Sequence, residues 1–531
     1  FLLETTYEAI VDAGINPATI QGTQTGVFLA ASEGESCAIS KRTGYKINQY
    51  AVLGNVLSML ANRLSYNFDF RGPSYVVDTA CSTSSVAIQQ AIYAIRSGLC
   101  DAAVVAGVHT QQDPVSSFCF HHLKMTSPDG KCKVFDATAD GYVRAEAVVT
   151  IYICKKQFAK RAYATLVHAI TNNDGYTEQG ITFPSVLQQE RVMRQVYEDC
   201  GVNPLEVGYI EAHGTGTKVG DPEEIKAITK VFCDGRQGPL LVGSVKSNMG
   251  HPETVAGLCA LAKVILAHAA GVLPANLHYA TPNPDIPSVI DGRVQVVDRN
   301  MPFNAKYVGM NSMGFGGTNV HLLVKLLPKM EQTPSWNPAT PVILLCSGRT
   351  QEAVETFLEK ALIHRNNQQF VRLTQELIKH DTPRHDFRGY VIVEQDKMEV
   401  QVDKRDSGRS VWFILTGLGS QWAGMSRDLI KYDVFKRSIE RSAVALLNNH
   451  FDIISLLECG DATKFEDFKN SVVSITTIQI ALIDLLESIG IVSDGIIGHS
   501  TGEVAAGYAD ETYNIPHHKN ENSQQKGFKY N

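Results

Sequence analysis

The chain has 531 residues, 44% of them hydrophobic and 19% charged, enough for roughly two to four globular domains. Its formal net charge of −7 gives no basic footprint for nucleic acid. The 11 cysteines are scattered without metal-type pairs, and neither a signal peptide nor a long uninterrupted apolar span is evident; reduced thiols, a cytoplasmic location and no membrane are expected.

Phe1 to Ile10 already carries an amphipathic helix pattern and lacks an initiator Met, so the chain reads as a fragment. From residue 1 to about 327, short apolar strands alternate with amphipathic helices and Gly-rich turns, an α/β pattern. Tyr75, Val76 and Val77 predict a buried strand. Cys81 follows at a sharp turn. Ile88, Ile92, Ile95 and Leu99 then recur at helical spacing, with Gly98 near the helix end. A thiol at a helix N-terminus meets unpaired N–H groups and the positive end of the macrodipole, and both favour thiolate. Alone, such a cysteine is more often an inert core thiol.

Tyr209 to Glu211 predicts a short strand that delivers His213 into a Gly/Thr loop. Asp221, Pro222 and Glu224 have the chemistry of a helix start: cap, first helical position and capping box. Leu240 to Val242 predicts another strand, followed by Lys246 and His251, ahead of a helix with Glu253 in its first turn. Gly309 to His321 reads as a glycine-rich turn between strands, either a tight hairpin or a Phe315 gate beside a pocket.

Lys329 to Pro341 is polar and Pro-containing and reads as a linker. Val342 to Cys346 predicts a strand, and Gln351 to Ile363 a helix, of a small α/β module ending near 395. The charged stretch Glu394 to Arg409 reads as a boundary. A third unit opens at Val411. It holds a Gly-rich loop ending at Gln421 and a strand-to-helix nucleophile elbow, Gly498-His499-Ser500-Thr501-Gly502. Glu511 to Asn531 is polar, has no apolar period and is expected not to pack.

The Cys81, His213 and His251 motifs, in this order and spacing, resemble the β-ketoacyl synthases of fatty acid and polyketide synthases. Phe68 to Ser74 and Glu178 to Ser185 are most similar to animal type I fatty acid synthase. The resemblance implies a thiolase-like fold, layered α/β/α/β/α, that works as a homodimer. It implies that Cys81 takes an acyl group from a carrier thioester. His213 and His251 would then stabilise the enolate formed when a malonyl thioester loses CO2. The N–H groups of Cys81 and of the Phe315 turn are the candidate donors for the acyl-Cys81 thioester. Lys246 would organise the site and keep both histidines neutral. No metal or redox cofactor is implied; substrates would arrive on the phosphopantetheine of an acyl carrier domain. His109 to Pro114 departs from the Lys-Pro-Asn type of turn common in relatives, which bears on the acyl pocket.

The implied domains are a β-ketoacyl synthase at 1–327, a linker domain at 328–409, the start of a malonyl/acetyltransferase at 410–510 and a tail at 511–531 outside the family. By the same resemblance Ser500 would carry the transferase acyl group and Gln421 would lie by its oxyanion hole. The match stops after Asp510, before the family's general-base His and its carboxylate-binding Arg; only His517 and His518 follow. A serine without its base is a weak nucleophile, so this second site is expected to be incomplete. Two further readings stay open: an iterative polyketide synthase, and a truncated, non-catalytic partner of a full-length synthase.

Overall fold

Beside a two-stranded sheet of Val272–Leu273 and Met301–Pro302, runs rich in Val, Ile and Ala build two large sheets in the first 326 residues of this computed structural model. It describes residues 1–512, except 33, 45–48, 329–335, 337–340, 380–381, 383, 395–396 and 407–409. The chain divides into two units, Phe1–Lys404 and Arg405–Asn531.

In the first unit one sheet runs in the order Ser74–Val77, Thr25–Ala30, Ala102–His109, Ala147–Cys154, the last strand antiparallel. Thr25–Ala30 is buried throughout, as a parallel strand covered on both faces must be. The other sheet runs Ala164–Asn173, Thr318–Leu326, Tyr307–Met313, Val207–Glu211, Leu240–Gly243, Val294–Val296. Helices Thr83–Arg96 and Ala256–Ala270 lie between the sheets. Helices Leu2–Asp12 and Leu57–Phe68 cover the first sheet, while Val186–Cys200 and Gly220–Phe232 pack with the second. These are the five layers of the expected α/β/α/β/α fold. Ser84 Oγ accepts the N–H groups of Gly257 (2.9 Å) and Leu258 (3.2 Å), which locks the two central helices together. Glu253–Ala270 and Phe468–Ser488 are long and apolar enough to cross a membrane by composition, yet about half of each is buried inside the protein.

Two expectations change here. Ser74–Val77 is an edge strand, and Tyr75 is 40% exposed rather than buried. The charged stretch 394–409 is not simply a boundary: Lys397–Lys404 is a strand paired antiparallel with Phe387–Glu394. Met398, Val400 and Val402 alternate with polar residues there, a period of two that the high charge density hides. With Val342–Gly348 these strands form a three-stranded sheet, packed by helices Gln351–Leu362 and Gln368–Ile378 over Leu344, Val354, Leu358 and Val391. Asn16 Nδ2 donates to the Leu377 carbonyl at 2.8 Å, so this module is anchored within the first unit. Of the expected linker 329–341, all but Trp336 and Pro341 lies outside the described residues, as does the tail beyond Thr512.

The second unit pairs Trp412–Leu415 in parallel with Gly495–Gly498. Helices Asp433–Leu446 and Phe468–Ser488 pack together over Phe435, Ile439 and Ala481.

A buried ion pair lies under the second sheet of the first unit. Glu211 is fully buried, and its carboxylate accepts from Tyr209 Oη (2.7 Å), Val245 N–H (2.7 Å) and Lys263 Nζ (2.5 Å). Removing one partner of such a pair strands a charge in the core. Lys263→Met is expected to destabilise the first unit by about 3–5 kcal/mol in urea unfolding; an unchanged midpoint would show that the pair adds nothing.

Candidate active site

The chain leaves the edge strand Ser74–Val77 and turns sharply at Ala80, which sits in the left-handed region at φ 56°. That conformation costs an alanine about 1 kcal/mol. Local hydrogen bonds hold it: Ala80 N–H donates to Asp78 Oδ1 at 3.0 Å, and Thr83 Oγ1 donates to the Ala80 carbonyl. The turn presents Cys81 just ahead of helix Thr83–Arg96. Gly314 belongs to the glycine-rich turn and packs directly on this elbow. A Cβ there would lie 2.5 Å from the Thr79 carbonyl oxygen, so only glycine lets the turn approach. The N–H groups of Phe315 and of Cys81 itself face the sulfur.

Sequence reasoning expected the helix start to favour thiolate. The structure corrects this. Burial pushes the Cys81 thiol up to about 11; the two N–H groups and Lys246 pull it back only partly, and Glu253 pushes it further up.

His213 follows strand Val207–Glu211, and His251 follows the short helix Lys246–Met249. Their rings stand 5.5 Å apart and nearly perpendicular, at 86°. His251 is pinned by the backbone: its N–H donates to the Val143 carbonyl (2.7 Å) and its carbonyl accepts from Ala145 N–H (3.0 Å). Tyr142 lies edge-on to its ring at 5.0 Å. Both histidines are held well below the ordinary imidazole value, first by burial and then by the charge of Lys246. Lys246 is 2% exposed and donates to the His213 carbonyl at 2.6 Å. It does not line the cavity.

Asp221 and Glu224 do something other than cap a helix. Helix Gly220–Phe232 has no side-chain cap. Both carboxylates turn back to the loop that carries His213. Glu224 accepts the N–H groups of His213 (2.7 Å) and Gly214 (2.8 Å); Asp221 accepts those of Thr215 (3.2 Å), Gly216 (3.1 Å) and Phe135 (2.9 Å). Burial raises Asp221 to about 7 and raises Glu224 as well.

Cys81, His213, His251 and Phe315 line one cavity of about 1310 Å³. The Phe315 ring meets Phe120 edge-on at 6.2 Å. The same cavity is lined by a buried ionic group that sequence reasoning did not single out. Arg144 Nε donates to Glu253 Oε1 at 2.6 Å, its Nη2 reaches Glu35 Oε1 at 3.5 Å, and Glu253 Oε2 lies 3.4 Å from His109 Nε2. These residues come from four separate segments, so no local motif joins them. Among the described residues no group of three or more His, Cys, Asp or Glu side chains is arranged to hold a metal ion.

In the second unit Ser500 sits on a strained elbow at φ 56° and is exposed. Its flanking glycines are required. A Cβ on Gly498 would meet the Glu503 backbone at 2.6 Å, and one on Gly502 would overlap the Leu415 carbonyl. Among the described residues no hydrogen bond reaches Ser500 Oγ. Gln421 accepts from Gly419 N–H at 2.8 Å and donates to the Phe465 carbonyl at 3.2 Å, so its amide holds the loop.

Family models match nearly the whole described chain. The β-ketoacyl synthase N-terminal domain matches residues 1–159, the C-terminal domain 163–280 and the ketoacyl-synthetase C-terminal extension 282–392; an acyl transferase domain matches 412–514. A fatty acid synthase of Anser anser anser is 52% identical over 266 residues, 50% of this chain and 76% of that sequence. The chain belongs to the β-ketoacyl synthases. It is also similar to a phenolphthiocerol/phthiocerol polyketide synthase of Mycobacterium tuberculosis, 34% identical over 95% of this chain but only 28% of that protein. Other polyketide synthase relatives are likewise much longer than this chain. Among solved structures, an oxazolomycin ketosynthase domain of Streptomyces albus JA3453 aligns with a TM-score of 0.68 and 26% identity, over 77% of this chain and 76% of that one. The two ketosynthase models thus cover the segments that carry Cys81, His213 and His251, and the extension model covers the last strands of the second sheet.

The raised Cys81 thiol has a direct readout. Only the thiolate alkylates, so the rate at Cys81 with iodoacetamide is expected to rise about tenfold per pH unit from pH 7 to 9 with no plateau. A rate that bends over between about pH 8 and 9, rising well under tenfold across that unit, would mean that the thiol titrates near its ordinary value.

Proposed function

We propose that the ketosynthase carries out the condensing step of fatty acid synthesis, a decarboxylative Claisen condensation of an acyl-Cys81 thioester with a malonyl thioester. One observation carries the reading. His213 Nδ1 and both ring nitrogens of His251 are buried without hydrogen-bond partners, in residues that line the cavity with Cys81. Unmade hydrogen bonds of this kind cost about 1–3 kcal/mol each, and a ligand oxygen would supply one partner per ring, to the nitrogen that carries the proton.

Cys81 Sγ attacks the incoming acyl thioester. The arriving thiol leaves, taking up the proton that Cys81 gives up. A raised thiol value means that this proton departs as the bond forms rather than beforehand. The N–H groups of Cys81 and Phe315 are the donors for the oxyanion. The malonyl thioester then loses CO2, and the electron pair moves into an enolate. Neutral imidazoles each offer one N–H, and His213 and His251 donate to the enolate oxygen. The enolate carbon attacks the acyl carbon, the C–S bond breaks, and the released Cys81 thiolate takes a proton from solvent water. Lys246 and Phe315 support these steps, Lys246 by keeping both rings neutral and Phe315 by its N–H and its ring at the cavity.

The substrates are proposed to arrive on the phosphopantetheine of an acyl carrier domain, with no resident cofactor. The edge strand Ser74–Val77, with no partner on its outer side among the described residues, supports a homodimer. The unpaired described cysteines support a cytoplasmic setting. The 52% identity to a fatty acid synthase favours fatty acids over polyketides as product. In the second unit the Ser500 elbow supports an acyl-transferring serine, but with no base at its Oγ among the described residues we propose that it loads poorly.

Cys81→Ala is expected to abolish both the acyl-enzyme and β-ketoacyl product. His251→Ala is expected to keep Cys81 acylation while lowering CO2 release at least about 100-fold. Product formed equally by Cys81→Ala would end the assignment. With radiolabelled malonyl-CoA, less than stoichiometric label is expected at Ser500; full stoichiometric label there would contradict the reading of the second unit.

A further inference from the structure

Four buried side chains, Tyr197, His321, Asn311 and Glu224, form one chain of hydrogen bonds that ends on the His213 loop. Glu224 Oε1 accepts from His213 N–H at 2.7 Å and from Asn311 Nδ2 at 2.9 Å, while Oε2 accepts from Gly214 N–H at 2.8 Å. Asn311 and His321 face each other across the antiparallel strands Tyr307–Met313 and Thr318–Leu326, and His321 Nδ1 lies 2.6 Å from Asn311 Oδ1. The other ring nitrogen, Nε2, lies 2.9 Å from Tyr197 Oη on helix Val186–Cys200. Gly309 makes room for this contact: a Cβ there would stand 2.9 Å from His321 Cε1 and 3.1 Å from Tyr197 Oη. Neither Asn311 nor His321 lines the cavity.

The chemistry of these groups sets the direction of every bond. Both Glu224 oxygens accept backbone N–H groups, so Asn311 turns its NH2 to Glu224 and its oxygen to His321. Burial pushes the His321 ring down to about 3, so it is neutral and carries a single proton. That proton sits on Nδ1 to meet the Asn311 oxygen, which leaves Nε2 to accept from the Tyr197 hydroxyl. We propose that His321 is a positioning residue for the enolate-forming step: through Asn311 and Glu224 it fixes the backbone that carries His213. This rests on the condensing function proposed above. Without the Nδ1–H the Asn311 amide is free to flip, Glu224 loses a donor, and the His213 loop gains freedom. A misplacement of about 1 Å at a reacting group costs up to about 100-fold in rate. Cys81 takes no part in this chain of bonds, so its acylation does not depend on it.

The test separates two half-reactions in the unaltered chain and in His321→Asn, His321→Gln and His321→Leu. Acylation of Cys81 by octanoyl-N-acetylcysteamine is read by mass spectrometry of the intact chain. CO2 release from carboxyl-labelled malonyl-N-acetylcysteamine is then read on the acylated chain. In His321→Asn the new amide reaches the place of Nδ1–H and still donates to Asn311. In His321→Gln it reaches the place of Nε2 and does not. Each of these two variants forfeits one buried bond, so a merely structural role predicts equal losses. His321→Gln and His321→Leu are expected to lower CO2 release at least about tenfold and His321→Asn by no more than about threefold, with acylation within about twofold in all three. Equal CO2 release in His321→Asn and His321→Gln, or acylation that falls in step with CO2 release, overturns the proposal. Failure of all three variants to fold also overturns it and makes His321 a core residue only; if His321→Leu alone fails, the other two decide. An unaltered chain that fails to take octanoyl onto Cys81, or fails to release CO2, overturns the condensing reading and the proposal with it.

Discussion

The ammonium of Lys246 is sealed in the core, where the charges of Glu211 and Glu224 favour its charged form against the desolvation that opposes it. From there its field reaches every reactive group of the ketosynthase site. It depresses His213 and His251, and it offsets part of the burial penalty on the Cys81 thiolate. Its bond to the His213 carbonyl fixes the loop whose other side is gripped by Glu224 and Asp221. One buried charge thus serves two purposes. It keeps the imidazoles uncharged, and it closes a web of hydrogen bonds that leaves the His213 backbone little freedom. An apolar residue of the same length would satisfy neither demand, and Glu224 would lose a compensating charge, while Glu211 would keep Lys263.

Much of this was legible in the sequence, because strands, tight turns and catalytic loops leave local marks. Cys81, His213, His251 and the Phe315 turn each sit in a short motif of glycine and small polar residues, and the cavity brings the four together. What the sequence hid is what depends on distance. The raised Cys81 thiol follows from burial by segments far away in the chain, while the helix start that argues for thiolate is local. Asp221 and Glu224 look like capping residues because a cap and a loop clamp use the same side chains at the same spacing. The strand Lys397–Lys404 was masked by charge, since even its apolar Met398 and Val400 are exposed and it pairs along one edge, with Val402 meeting the core. The Glu35–Arg144–Glu253–His109 group could not be read at all, because nothing but the fold makes these residues neighbours.

The two nucleophile elbows make an instructive pair. Ala80, before Cys81, and Ser500 itself both sit at φ 56°, each just ahead of a helix. In the ketosynthase a cluster of threonine and serine hydroxyls holds the strained turn, and Gly314 covers it. In the second unit two glycines make room instead, and the serine stays exposed. Similar backbone strain therefore supports two different surroundings: a partly covered thiol on a cavity wall and an open hydroxyl.

Cys81 rises from the end of a strand in one sheet, whereas His213, Lys246 and His251 follow strands of the other. The central helices join these halves through Ser84, and Ser85 meets Ser312 across the same seam at 2.7 Å. Catalytic competence is therefore a matter of alignment between two sheets that share one hydrophobic core. A small slip along that seam would move Cys81 against the histidines while each sheet kept its own backbone hydrogen bonds, so the chemistry is more sensitive to that seam than either sheet is.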